Sequence, residues 1–143
     1  MAETSDYRVC LPLFEALYHG DIGPRFKQTF ESFVSNEGSL VLLAEYSNKV
    51  IGVLVGSYHL DIDGEGNIAK VDALIVDQKL RKKGIGRKLM CHFITMARRK
   101  KCKAIKSRIN RKNIVAQKFH ESLRFTEANT FEYFLDFENA EED

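Results

Sequence analysis

Apolar positions first recur at helical spacing. Val9, Leu13, Phe14 and Leu17 follow the cap-type residues Thr4, Ser5 and Asp6, which predicts a helix that ends by Gly20. Pro12 falls inside this stretch, where it either delays the helix start or kinks it. A second stripe, Phe26, Phe30, Phe33 and Val34, stops at Gly38. The period then changes. Residues 39–46 and 49–58 are rich in Val, Leu and Ile, and the turn-forming pair Ser47-Asn48 between them predicts a hairpin. Residues 69–76 read as a further strand. Residues 84–100 read as an amphipathic helix carrying Ile85, Leu89, Phe93 and Met96. A short strand over 104–109, a helix over 113–123 and an alternating last strand over 131–137 complete the series. This order predicts an α/β domain of the α+β type, with a mixed, mostly antiparallel sheet flanked by helices.

A chain of 143 residues, 44% hydrophobic and 29% charged, suits one domain spanning 1–143, with 138–143 as an acidic tail. No apolar run reaches the roughly 20 residues of a membrane helix, and 9–13 is too short for a signal segment. Cys10, Cys91 and Cys102 form no short-spaced pair, so neither a disulfide framework nor a metal site is expected. Cys91 lies in the apolar helical pattern, which predicts a buried free thiol. Together these features point to a reducing, cytoplasmic setting without membrane partners.

Charge is sharply segregated. Residues 1–78 hold five Lys/Arg against twelve Asp/Glu, a net of −7. Residues 79–124 hold seventeen Lys/Arg against the single acid Glu121, a net of +16, and 125–143 carry −7. A basic block of this kind matches a phosphorylated partner, either nucleic acid or a phosphate-bearing cofactor, or else a set of solvated helix faces. Helix-turn-helix spacing, zinc ligands and an RNA-recognition aromatic signature are all missing, which argues against nucleic acid.

Two loops invite chemistry. Asp61, Asp63, Glu65, Gly66 and Asp72 fall near the spacing of a calcium-binding EF-hand. The flanks, however, are β-branched rather than helical, so a polar turn between strands is the expectation. The second loop, Arg81-Lys82-Lys83-Gly84-Ile85-Gly86-Arg87-Lys88, follows a strand and opens a helix. There, free backbone N–H groups and the helix dipole receive phosphate, and glycine lets the backbone approach closely. No Gly-Lys-Ser/Thr occurs, and Leu89 replaces the third glycine of a dinucleotide fingerprint. A short glycine turn with surface lysines is the alternative.

The segment Val71-Asp72-Ala-Leu74-Ile-Val76-Asp77, followed by Arg81-x-x-Gly84-x-Gly86 and a helix, resembles the GCN5-related N-acetyltransferase (GNAT) family. Asn113-x-x-Ala116-x-x-Phe119-His120-x-x-x-Arg124-Phe125 is similar to that family's C-terminal pattern, and the resemblance covers nearly the whole chain. Small-molecule and aminoalkylphosphonate acetyltransferases are the most similar in character. Three departures stand out: the family's first strand is shortened or absent, His120 replaces the usual acidic tyrosine, and Arg124 replaces a glycine.

The resemblance implies direct transfer of acetyl from acetyl-CoA to a primary amine, most simply that of a small molecule. Protein lysine or N-terminal acetylation is the alternative, as is a non-catalytic module that binds acetyl-CoA or nucleic acid. It places Arg81, Lys82, Lys83, Gly84, Ile85, Gly86, Arg87 and Lys88 on the pyrophosphate, with Leu74, Ile75 and Val76 along pantetheine. Asn113 and Phe119 are assigned to the cofactor arm. An ammonium must lose a proton before it attacks, and Asp72 is the candidate base, or else a strand carboxylate paired with Lys70. His120 is the candidate acid for the leaving thiolate, or else a packed histidine with water as the donor. Tyr58 and Tyr133 are spare candidates, and His59 has no role in this scheme. Asp21, Glu31, Asp61, Asp63 and Glu65 are candidates for attracting a cationic acceptor. A homodimer through the final strands or the sheet edge is a further expectation.

Overall fold

The computed structural model describes residues 1–18, 20, 22–63 and 66–139. They fall into two compact units, Met1–Arg108 and Ile109–Asp143. The first unit opens with a 3-10 turn, Thr4–Asp6, in which Glu3 N–H donates to Asp6 Oδ2 at 2.7 Å. Helices α1 (Tyr7–Tyr18) and α2 (Phe26–Ser35) follow, then strands β1 (Ser39–Tyr46), β2 (Lys49–Leu60) and β3 (Asn67–Val76). Helix α3 (Ile85–Arg99) and strand β4 (Cys102–Ser107) complete it. Pro12 sits inside α1 on an exposed side, where the lost hydrogen bond is compensated by solvent. No strand precedes α1 among the described residues, where Ala2 N–H donates to the Val41 carbonyl at 2.9 Å.

The sheet order is β1-β2-β3-β4, with the first two pairings antiparallel and the last parallel. Ser47 and Asn48 join β1 to β2 with φ of 50° and 62°, the twin left-handed turn that matches strand twist. On one face, α1 and α2 cover Val41, Val53, Val55 and Ile75 with Cys10, Phe14 and Phe30. The rings of Phe14, Phe26 and Phe30 stack in series at 4.9 and 5.9 Å. Burial of Cys10 pushes its thiol up to about 12, so it acts as a small hydrophobe. Cys91, expected inside, is exposed. The buried stripe of α3 is Leu89, Met90, Phe93 and Ala97, and residue 91 turns away from it at 100° per residue.

Helix α3 lies on the opposite face over two glycines of β2. A Cβ on Gly56 would stand 2.7 Å from the Phe93 ring, and one on Gly52 would stand 3.2 Å from Ile85 and Leu89. Their bare backbone forms the seat of the helix, and so fixes where its first turn begins.

The second unit holds α4 (Ile114–Ser122), capped by Asn113, whose side-chain oxygen accepts from Ala116 N–H at 3.0 Å. The expected strand over 131–137 is not formed among the described residues, and Phe131, Tyr133, Phe134, Leu135 and Phe137 are exposed. Alternation supplies a face, but a strand exists only where a neighbour takes its backbone hydrogen bonds. Asp136 instead closes a turn, accepting from Glu138 N–H and the Asn139 amide.

Substituting Gly56→Ala is expected to lower stability by about 1–3 kcal/mol through overpacking against Phe93. Thermal unfolding checks this, and an unchanged midpoint would show that α3 can lift off β2 at no cost.

Candidate functional site

Strands β3 and β4 pair in parallel only as far as Val71 and Ser107, while β3 continues through Val76. Its last five residues, 72–76, therefore have no strand on that side among the described residues. The backbone of Leu74, Ile75 and Val76, expected along pantetheine, is thus exposed at an open sheet edge.

The divergence coincides with a β-bulge. Gly56 pairs with Val71 and Val55 with Ala73, so Asp72 is the extra residue. The bulge also changes which residues face α1 and α2. Lys70, opposite Ser57, lies on that face before it, and Ala73 and Ile75, opposite Val55 and Val53, lie on that face after it. Asp72 Oδ2 accepts a 2.7 Å hydrogen bond from Ser57 Oγ, and Oδ1 lies 3.6 Å from Lys70 Nζ. Ser57 Oγ is in turn 3.0 Å from His59 Nε2. The carboxylate is therefore both ion-paired and held in a definite orientation.

Sequence reasoning missed Ser57 and His59. Their spacing of two on one strand was legible, but their meeting with Asp72 depends on the Ser57–Lys70 register and on the bulge. Tyr58 lies on the other face, 6.1 Å from the Phe93 ring and under Lys100 Nζ at 4.6 Å. Burial raises the pKa of its hydroxyl, which has no hydrogen-bond partner among the described residues.

After β3, Asp77 caps a short 3-10 turn, accepting from Lys79 N–H at 3.0 Å. Lys82 and Gly84 both take left-handed backbone, with φ of 66° and 81°. Gly84 is the N-cap of α3, and no side chain caps the turn. The first-turn N–H groups of Ile85 and Gly86 thus lack intrahelical partners by geometry, and Arg81, Lys82, Lys83, Arg87 and Lys88 are exposed around them. This concave run of amides with surrounding cations fits a pyrophosphate. A groove of about 460 Å³ lies beside it, lined by Leu13 and Leu17 of α1, by Ile75 and Val76, and by Lys79 and Arg81.

In the second unit, His120 is buried between Phe119 and Phe125, with ring centroids 5.4 and 5.1 Å away. Its Nδ1 lies 2.8 Å from the Ala116 carbonyl and donates to it. Asn113 caps the same helix, and Tyr133 is exposed.

The sequence matches the acetyltransferase (GNAT) family over residues 7–125. The chain belongs to the GNAT acetyltransferase family. Among solved structures, it is similar to the aminoglycoside N-acetyltransferase AAC(6')-Iy in complex with CoA, with TM-score 0.84 and 17% identity, covering 95% of this chain and 91% of that one. The ribosomal-protein-alanine N-acetyltransferase from Brucella melitensis biovar Abortus 2308 gives 0.79 at 17% identity, covering 95% of both chains. A putative acetyltransferase from Agrobacterium tumefaciens str. C58 gives 0.83 at 18%, covering 94% of this chain and 96% of that one. A comparison with curated protein sequences gave no match. No helix among the described residues is long and apolar enough to cross a membrane.

The calcium-like loop of this GNAT chain is a turn between β2 and β3, closed by Asp61 N–H to the Gly66 carbonyl at 3.2 Å. Lys103 Nζ holds Asp63 at 2.6 Å and Asp61 at 2.9 Å, and these bonds, Asp63 first, raise the lysine pKa. The ammonium stands where a cation would be held. Glu31 meets Lys27 at 4.0 Å, and Asp21 and Glu65 lie outside the described residues. Calorimetric titration with calcium is expected to give no saturable heat, whereas tight binding would show that Lys103 is readily displaced.

Proposed function

We propose that the chain transfers acetyl from acetyl-CoA to the primary amine of a small molecule, with Asp72 as general base. The observation that carries this reading is the coincidence, within one unit, of three features. They are the open edge of β3, the bulged Asp72 at its start, and the uncapped, cation-rimmed turn at Gly84. Acetyl-CoA supplies the acetyl group as an activated thioester. The amides of Ile85 and Gly86, rimmed by Arg81, Lys82, Lys83, Arg87 and Lys88, hold its pyrophosphate, and the N–H groups of Leu74 and Val76, which point away from β2, meet its pantetheine arm and face the oxygen that gains charge. The resemblance in sequence supports the assignment of Asn113 and Phe119 to the cofactor.

Asp72 accepts the proton of the incoming ammonium, while Lys70 and Ser57 fix its carboxylate. For the thiolate, the Nδ1 bond to Ala116 and the flanking rings favour His120 as an anchor of its own helix, with water as the proton source. The named acceptors of the similar structures, aminoglycosides and a ribosomal protein, differ too much to identify this one. The groove beside Ile75, Val76 and Arg81 lies on the side assigned to acetyl-CoA, so the choice of a small acceptor rests on the sequence. The pairing of Asp61 and Asp63 with Lys103 counts against a highly charged polycation. Placing the chain in a cytoplasm, and as a homodimer, belongs to the same proposal and rests on sequence.

Calorimetry with acetyl-CoA is expected to show micromolar binding that Gly86→Trp abolishes. Equal binding of short duplex DNA by both proteins, with no acetyl-CoA heat, would overturn the transferase reading. Asp72→Asn is expected to lower kcat/KM by about 10²- to 10⁴-fold with acetyl-CoA affinity unchanged. Thiol release with spermidine, kanamycin or a lysine-containing peptide as acceptor measures it. Preference for the peptide would favour a protein acetyltransferase.

A further inference from the structure

We infer that Ser57 and His59 form the exit path for the proton that Asp72 captures. This rests on the reading of Asp72 as the base. Ser57 is 7% exposed and bridges two groups, Asp72 Oδ2 at 2.7 Å and His59 Nε2 at 3.0 Å. His59 is exposed to solvent. A serine hydroxyl carries one hydrogen, and Asp72 as a carboxylate can only accept it. Ser57 Oγ must therefore receive the second bond from Nε2–H, which fixes the resting tautomer of His59. The order of the three groups excludes a nucleophilic serine, because such a serine hands its proton to a histidine that lies between it and the acid. Here the serine is in the middle, and it is buried.

The Asp72 side chain is only 19% exposed, and Lys70 stands on its other oxygen. A charged lysine has no lone pair to take a proton, so Lys70 offers no relay from Oδ1, and direct exchange with water is the competing route. Through Oδ2 the path is complete. The exposed imidazole first exchanges its Nε2 proton for one on Nδ1 through water. The Asp72 O–H bond then breaks as a bond to Ser57 Oγ forms, and the former Oγ–H bond breaks as Nε2–H forms. This leaves a carboxylate, a hydroxyl and an imidazolium, which releases its Nδ1 proton to water. The groups return to their starting bonds, and one proton has left the site. Ser57 and His59 are positioning and relay groups that touch neither the amine nor the thioester.

Nitrogen-15 NMR of the whole chain reads the tautomer without any acceptor. Neutral His59 is expected to carry its proton almost wholly on Nε2, and Ser57→Ala is expected to weaken that preference toward that of a free imidazole. A wild-type ring protonated on Nδ1 overturns the relay. With the acceptor that supports turnover among spermidine, kanamycin and the lysine peptide, His59→Ala is expected to lose about tenfold in kcat. Its KM for acetyl-CoA should not change, and added imidazole should restore the rate. His59→Gln keeps a donor to Ser57 but cannot pass a proton, so it should remain as slow as His59→Ala. Wild-type kcat in His59→Gln would mean that the ring only orients Ser57, and the relay fails. Full turnover by Asp72→Asn would instead sink the base assignment. An inactive Asp72→Asn beside fully active His59 variants would sink the relay alone.

Discussion

Everything proposed for this chain depends on one discontinuity in its sheet. Parallel pairing between β3 and β4 stops at Val71 and Ser107, and the extra residue at that point is Asp72. A regular strand would satisfy its backbone against both neighbours and leave nothing to bind. Ending the pairing on one side frees five residues of β3 for a ligand, and pairing with β2 keeps them rigid. A bulge increases local twist and redirects a side chain, so the opening of the edge and the aiming of the carboxylate share one local cause.

The turn at Gly84 is tied to that edge through the other face of the sheet. Ile85 and Leu89 rest on Gly52, which pairs with Val76 at the end of β3. Phe93 rests on Gly56, opposite Val71 where the bulge begins. The same helix thus touches the strand at both limits of the open segment. The distance between the amides at Gly84 and the backbone of Leu74 to Val76 is set by packing rather than by a loop. This is how an eight-residue connection of largely exposed, charged side chains can hold a definite shape.

Most of the architecture was legible in the sequence because it follows from period and punctuation. The hairpin at Ser47-Asn48, the helix behind Gly84 and the parallel strand after it all appear within a few residues of their expected bounds. Local signals could not supply register. Residues 69–76 read as one smooth strand, since each of Val71, Ala73, Leu74, Ile75 and Val76 suits either face, so the change of parity at Asp72 leaves no mark in composition. The meeting of Ser57 and His59 with Asp72 was hidden for the same reason. Residues 131–137 failed in the opposite sense, because their alternation is clear but pairing is a property of a neighbour. Cys91 was misplaced because a thiol counted as apolar in a helix whose buried stripe was already filled by Met90 and Phe93.

The bulge also gives the face toward α1 and α2 two ends of different character. Lys70, Asp72, Ser57 and His59 make one end polar, and Ala73, Ile75, Val53 and Val55 make the other apolar. The apolar end is closed by Cys10, Phe14 and Phe30 of α1 and α2, so the polar end is the part of this face that an amine can approach. Hydrogen bonds for several further ammonium groups would have to come from elsewhere, and the acids at 61 and 63 are already held by Lys103. A polyamine reaching this end would leave its additional charges without partners, a cost of desolvation rather than a steric exclusion.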